Sequence, residues 1–278
     1  RMIQGMDSFP LLAIPLFILV GNLMSGSGIS KRLVDWIDSL VGGARGGIGI
    51  VMVLSCAVFA ALTGSGPATV AAIGGILIPE MVERGYKSEE AAGLSATAGG
   101  LGPIIPPSIP MIVYGTTMGV SIPAMFMGGI LPGLLIVGLL IAAHYFVIRN
   151  NTEIKTNPQK FNIRIFLRKT YEALGAIFLP IIILGGIYGG IFTPTEAAAV
   201  GVVYALFVGM FVHKELKVSD LPKLLVDSIV VSAMVNIIIA FASLLSYIMS
   251  YTNFGASVSA VLTQFINSQT SYLIVLTV

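Results

Sequence analysis

From Gly46 to Pro79 the chain reads GGIGIVMVLSCAVFAALTGSGPATVAAIGGILIP, 34 residues without a single charge. One ordinary membrane helix takes about 20 apolar residues, and two full crossings with a turn take about 40 or more. The run fits neither. Its middle, Thr63-Gly64-Ser65-Gly66-Pro67-Ala68-Thr69, is small and polar, and Gly and Pro there close one helix and open another. The expected form is a re-entrant helical hairpin over 46–80 that enters and leaves on one face, with each arm reaching about halfway across the bilayer.

Composition points the same way. Of 278 residues, 56% are hydrophobic and 10% charged, with a mean hydropathy of +0.95, whereas soluble domains carry about 25% charged residues. Charges are absent from Ser8 to Ser30, Ala91 to Ile148, Ala173 to Thr195 and Ser228 to Val278 as well. These runs are continuous rather than alternating, so helices, not strands, must satisfy the backbone in lipid. The fold class is therefore all-α, a polytopic membrane protein. A net charge of +2 with no clustered basic face argues against a nucleic-acid partner. The one cysteine, Cys56, excludes an internal disulfide and reads as a small buried hydrophobe. Arg1 and Val278 read as cut ends of a longer protein, and the apolar run Ser271 to Val278 is too short to cross.

Charge parity supports the hairpin, because cytoplasmic loops collect Lys and Arg. If both hairpin arms root on one face, then Lys31, Arg32, Arg45, Arg84, Lys87, the six basic residues from Arg149 to Lys169, and Lys214, Lys217 and Lys223 share one side. Two full crossings satisfy parity equally, so only length separates the two readings. The resulting organisation places a first span (Phe9 to Met24) and an amphipathic arm helix (Ser30 to Val41, with Trp36 as a headgroup anchor) in residues 1–45. Residues 46–148 form a transport core of hairpin 46–80, broken helix 91–118 and span 124–148. A cytoplasmic connector occupies 149–170, and 171–278 begins a second unit with spans Leu174 to Ile191, Glu196 to Val212 and Ser228 to Tyr251.

Three motifs carry candidate chemistry. Two half-helices meeting at Thr63 to Thr69 present carbonyl oxygens at one end and free N–H groups at the other, suited to Na⁺ and to a carboxylate respectively; Ser65 and Thr69 add hydroxyls. A small-residue helix interface is the alternative. Gly102-Pro103-Ile104-Ile105-Pro106-Pro107-Ser108-Ile109-Pro110 carries four prolines in eight residues, so several carbonyls lose their helical donors, beyond what a single packed kink requires. Tip and break are both expected near mid-membrane, where they can form one site. Thr193-Pro194-Thr195-Glu196 reads as a capping box, with Thr193 as cap and Glu196 closing it, in preference to a substrate-binding Glu196. Asn22, Ser25 and Ser27 either face the site or cap the end of the first span.

Catalysis finds no foothold. His144 and His213 stand at span ends, no His-Glu-x-x-His motif and no mid-span Asp pair occurs, and no Gly-x-x-x-x-Gly-Lys-Ser/Thr loop is present. The chain is read as a transporter driven by an ion gradient or a partner subunit, not as an enzyme.

Five stretches resemble the large membrane subunit of tripartite ATP-independent periplasmic (TRAP) transporters: Met6 to Ile18, Leu62 to Gly74, Ile78-Pro79-Glu80-Met81 with Arg84-Gly85-Tyr86, Gly102 to Ser108, and Gly190 to Ala199. They span nearly the whole chain in the family's order. The resemblance implies an elevator-type, inverted-repeat transporter that imports a small organic acid anion, such as a C4-dicarboxylate or sialic acid, across the bacterial inner membrane with Na⁺ as coupling ion and no organic cofactor. It implies three kinds of partner: a small four-helix membrane subunit, a periplasmic substrate-binding protein and membrane lipid. It places Ser65, Gly66, Thr69, Gly102, Pro103, Pro106 and Ser108 at a sodium site; Thr63, Ser65, Pro107, Ser108 and Asn22 are the residues expected against substrate. The family's second hairpin and Thr-Pro-Pro break are expected beyond Val278. A stand-alone symporter or antiporter of the same type, or a non-transporting membrane scaffold, stays open at this stage.

Overall fold

A computed structural model describes residues 5–44, 46–149, 154 and 162–262. Arg45, half of the connector 149–170 (150–153 and 155–161) and the run 271–278 lie outside the described residues. Among those described, every regular element is helical. Five helices among the described residues are long and apolar enough to cross a membrane: Phe9–Gly26, Ile122–Ile148, Ile163–Tyr188, Pro194–Val212 and Val218–Tyr251.

The first helix, α1 (Phe9–Gly26), ends because Gly28 takes a left-handed conformation (φ 67°), and the Ser27 hydroxyl closes the last turn by donating to the Met24 carbonyl at 3.0 Å. Next comes α2 (Ile29–Val41), which buries Ile29, Leu33, Val34 and Ile37 at helical spacing. Its polar edge is tied to α8 (Ile163–Tyr188): Lys169 pairs with Asp35 at 2.9 Å, and Trp36 stacks on Phe166 with ring centroids 6.4 Å apart. The Trp36 indole N–H donates to Thr170 Oγ1 at 3.0 Å, so the bond expected to go to a lipid headgroup goes to a neighbouring helix. Residues 163–170, assigned above to a connector, are the first two turns of α8. Asn162 caps them by accepting from Arg164 N at 3.0 Å, and the α2 contacts hold them, so side-chain polarity alone misplaced the boundary.

The hairpin run folds as two helices, α3 (Gly47–Thr63) and α4 (66–83), which pack together and turn at Gly64-Ser65. At 1.5 Å per residue they rise about 26 and 27 Å, close to a hydrocarbon core of about 30 Å. Arms of that length exceed the half-span expected above. Residue count therefore does not separate a re-entrant hairpin from two crossings; tilt does. A π-helical segment, Val70–Gly74, interrupts α4 where it meets α5 (Ser88–Gly99). The broken helix is α5, the proline-rich break 100–108 and α6 (Ile109–Met118); α7 (Ile122–Ile148) follows. Cys56 is buried within α3.

Beyond the connector, α9 (Pro194–Phe207, prolonged by a π-helical turn Val208–Val212) packs on α1 and α8. Gly201 allows the approach: a Cβ there would lie 3.2 Å from Val20 and 3.3 Å from Ile183. α9 starts at the anticipated capping box. Glu196 N donates to Thr193 Oγ1 at 3.3 Å, and Thr193 N donates to Glu196 Oε2 at 2.8 Å. α10 (Leu221–Tyr251) begins seven residues before the apolar run at Ser228, since a helix continues through Lys223 and Asp227 regardless of their charge. α11 (Phe254–Leu262) follows.

Backbone contacts divide the chain into two compact units. One is Phe9–Ser232, which contains the hairpin and the break. The other takes in Arg1–Ser8 and Ala233–Val278, of which 5–8 and 233–262 are described; within it Gly5 packs directly on Ser243.

Candidate functional site

Hairpin tip and proline break meet. Ile109 N donates to Gly64 O at 3.3 Å, and a Cβ on Gly64 would fall 2.4 Å from Pro107 O. On the other flank a Cβ on Gly102 would fall 2.5 Å from Gly66 N, and one on Gly66 would lie 3.0 Å from Gly99 O. Backbone touches backbone on both sides, which only glycine permits at these positions. Gly64 is also held at φ +62°, where a side chain would be strained.

Each half-helix opens in the same way. Ser65 caps α4 with φ −130° and ψ 123°, and its hydroxyl accepts from Ala68 N at 3.5 Å. Ser108 caps α6 with φ −124° and ψ 124°, and its hydroxyl accepts from Met111 N at 3.3 Å while donating to Pro103 O at 2.6 Å. Pro67 and Pro110 each stand two residues after the cap, where a missing N–H costs nothing. The Ser-x-Pro pattern recurs because the geometric task recurs. Two helix N-termini, each with positive dipole character, are thus brought to one junction, with Ile109 N of α6 donating to Gly64 O at the hairpin tip.

Beside the caps lies a knot of hydroxyls. Thr63 Oγ1 lies 3.3 Å from Thr69 Oγ1, which donates to Ser65 O at 2.8 Å. Thr63, Thr69 and Ser108 are all buried, and no charge occurs anywhere in 46–79 or 91–148. The junction is thus neutral and built of hydroxyls, amide N–H groups and carbonyls. Such oxygens suit a hard alkali cation rather than a transition metal, and no cluster of His, Cys, Asp or Glu able to hold a metal occurs among the described residues.

Of the residues singled out from sequence, Thr63, Ser65, Gly66, Thr69, Gly102, Pro103, Pro107 and Ser108 come together here; Pro106 is buried in the same break, joined to Pro107. Asn22 sits beside Gly21, whose Cβ position is 2.8 Å from Thr63 Cγ2, but its amide donates to Ser228 Oγ at 2.8 Å, bridging α1 to α10. Ser25 is exposed and Ser27 closes a helix end. Sequence reasoning missed Gly21, Gly64 and Gly99 as approach points; the paired Ser-x-Pro signature was the available signal.

The roots of the hairpin are also joined. His144 Nε2 donates to Gly46 O at 3.2 Å, and its ring stacks on Tyr86 with centroids 5.9 Å apart. Gly46 precedes α3 and Tyr86 follows α4, so one residue of α7 holds both ends. Gly49 makes room: a Cβ there would lie 2.1 Å from His144 Nε2.

Comparison with known proteins matches residues 1–278 to the family model described as the tripartite ATP-independent periplasmic transporter, DctM component. The chain is 39% identical over 278 residues to the C4-dicarboxylate TRAP transporter large permease protein DctM of Pseudomonas aeruginosa, covering 100% of this chain and 65% of that protein. It is 37% identical over 278 residues to the 2,3-diketo-L-gulonate TRAP transporter large permease protein YiaN of Escherichia coli, with 100% and 65% coverage. Against the sialic acid TRAP transporter large permease protein SiaM of Vibrio cholerae it is 35% identical over 250 residues, covering 90% of this chain and 58% of that protein. The chain thus spans less than two thirds of the length of these relatives.

Proposed function

The chain belongs to the DctM component family of tripartite ATP-independent periplasmic transporters, and on that footing we propose that it contributes the first ion-binding half of a sodium-coupled importer of small organic acids in the bacterial inner membrane. One observation carries the sodium reading: the tip and the break meet backbone to backbone, with Ser65, Thr69 and Ser108 hydroxyls at the junction. An alkali ion there draws on hydroxyl and carbonyl oxygens from both segments, so its binding favours the arrangement in which they touch. A substrate carboxylate then faces two helix N-termini.

Neutrality supplies the coupling. A cation and an anion about 4 Å apart at an effective dielectric of about 20 attract by about 4 kcal/mol, and no fixed charge of the protein competes. Each ligand therefore strengthens the site for the other. The relatives' names cover a C4-dicarboxylate, a diketo sugar acid and sialic acid; the shared chemistry is a small organic anion, which we take as the substrate class. We further assign the chain a small membrane subunit and a periplasmic binding protein as partners, with the rest of its length supplying a second hairpin, and an elevator movement of the hairpin-bearing core. Uptake by the full-length protein in proteoliposomes, with its partners, is expected to require an inward Na⁺ gradient. Equal uptake in potassium would defeat the sodium assignment.

A further inference from the structure

Helix α7 touches both ends of the hairpin assembly. In its first half it meets the proline break: a Cβ on Gly129 would lie 2.6 Å from Ile104 O, and one on Gly133 2.8 Å from Ile105 Cγ1. About 22 Å further along, at 1.5 Å per residue, the buried His144 meets the hairpin roots, its Nε2 3.2 Å from Gly46 O and 3.4 Å from the Tyr86 hydroxyl. The Tyr86 ring lies nearly parallel to the imidazole, at 13°, and so fixes the plane in which Nε2 reaches Gly46.

These contacts close a ring. From Gly46, α3 rises about 26 Å to Gly64; Gly64 O accepts from Ile109 N at 3.3 Å; the break passes to α7 at Gly129; and α7 returns to Gly46 through His144. One hydrogen bond joins separate segments at the tip and another at the roots. Around the root bond the wall is glycine against side chain: a Cβ on Gly46 would lie 1.7 Å from Ile148 Cδ1, and one on Gly49 2.1 Å from His144 Nε2. Apolar contact of this kind resists separation but tolerates sliding along the helix axis. A hydrogen bond does not, because it weakens steeply once donor and acceptor leave a narrow range of distance and angle.

We propose that His144 is a positioning residue for the junction of tip and break: by pinning Gly46 it fixes the axial register of α3 on α7, and so holds Gly64 against Ile109 at the far end of the same helix. Helices transmit such a register with little loss, since their backbone bonds do not stretch and the interior around them is close-packed. The consequence for transport rests on the sodium reading of the junction given above, whereas the register is a property of the chain alone.

The test is hydrogen exchange of the segment Ser108–Ile112, which carries the Ile109 amide, in the full-length protein, first in potassium and then in sodium, alongside thermal melting. In potassium, His144→Ala should speed this exchange about 2- to 30-fold, the range over which single residues of a coupled network shift an equilibrium. His144→Gln, whose amide can still donate to Gly46 O, should restore most of the protection. Gly49→Ala should reproduce the loss with the imidazole present but displaced, and it keeps the test open if His144→Ala fails to fold. Thr193→Ala is the control for lost stability and should leave the segment at its wild-type rate. Wild-type exchange in folded His144→Ala or Gly49→Ala overturns the proposal. So does exchange in His144→Gln as fast as in His144→Ala, which would assign the effect to lost ring packing, and so does an equal acceleration in Thr193→Ala. Sodium tests the underlying reading separately, because an ion bound at the junction slows exchange there. If only that slowing is missing, the register stands and the ion site lies elsewhere.

Discussion

Replacing Gly102 with alanine tests the junction most directly. The new Cβ would lie 2.5 Å from Gly66 N and from Ser65 C, and 2.8 Å from Gly66 Cα. All three are backbone atoms, so no side chain can swing aside. Carbon contacts are best at about 3.5–4.0 Å, so the tip must retreat by about 1 Å. Inserting a methyl group into a packed site costs about 1–3 kcal/mol, and if that energy is taken from ion binding the half-saturating Na⁺ concentration rises about 5- to 150-fold. Gly93→Ala is the control: it lies on α5 with nothing within 4 Å of its Cβ position, and alanine in a helix interior is favoured over glycine by about 0.5–1 kcal/mol. The assay is uptake against Na⁺ concentration in proteoliposomes, normalised to folded protein by thermal melting. Gly102→Ala should shift the curve and Gly93→Ala should leave it within about twofold. A folded Gly102→Ala protein with wild-type sodium activation would refute the claim that tip and break act as one site.

Other outcomes follow from the same geometry. Ser108→Ala removes a helix cap worth about 1 kcal/mol and leaves Pro103 O without its 2.6 Å donor. It and Ser65→Ala should both weaken sodium activation more than thermal stability; unchanged activation in both would separate the hydroxyls from the ion. Thr193→Ala breaks the capping box of α9 and should lower stability by about 1 kcal/mol with uptake per folded molecule unchanged. Glu196→Gln, which keeps an acceptor for Thr193 N, should leave uptake unchanged too; a collapse of substrate affinity there would restore Glu196 as a binding residue. His213, just past α9, is held below the ordinary histidine value by burial first and then by Arg32, with Glu215 opposing, and its buried Nε2 has no partner. Protonation is therefore harder in the folded protein, and the unfolded chain binds more protons below its own pKa of about 6.5. Stability should be full above that value and decline as pH falls toward the depressed folded value. His213→Gln should flatten this decline in melting temperature, and an unchanged profile would remove His213 as its cause.

Much of the architecture was legible in the order of residues. Charge-free runs mark segments that need lipid, and Gly and Pro positions mark where helices must stop, because lipid forbids unpaired backbone and proline carries no N–H. The hairpin turn at Gly64-Ser65, the break between Gly99 and Ser108 and the capping box at Thr193 all lay in local chemistry. So did the family resemblance, since whole motifs recur in order. Helix ends that depend on a neighbour did not: the start of α8 at Ile163 is held by Asp35 and Trp36, 134 residues away in each pairing.

The meeting of the tip and the break belongs to the tertiary structure alone. Residues 63–69 and 102–108 each announce an interrupted helix, but nothing in their spacing says that Ile109 N reaches Gly64 O or that Gly102 leaves room for Gly66. That proximity arises from the packing of α3 and α4 against α5, a sum of many weak contacts no single residue encodes. The same holds for His144, which sequence shows only as a histidine near a helix end and which the fold sets against both roots of the hairpin. Local chemistry specifies which oxygens and amides are freed from helical pairing; only packing decides which of them share a site.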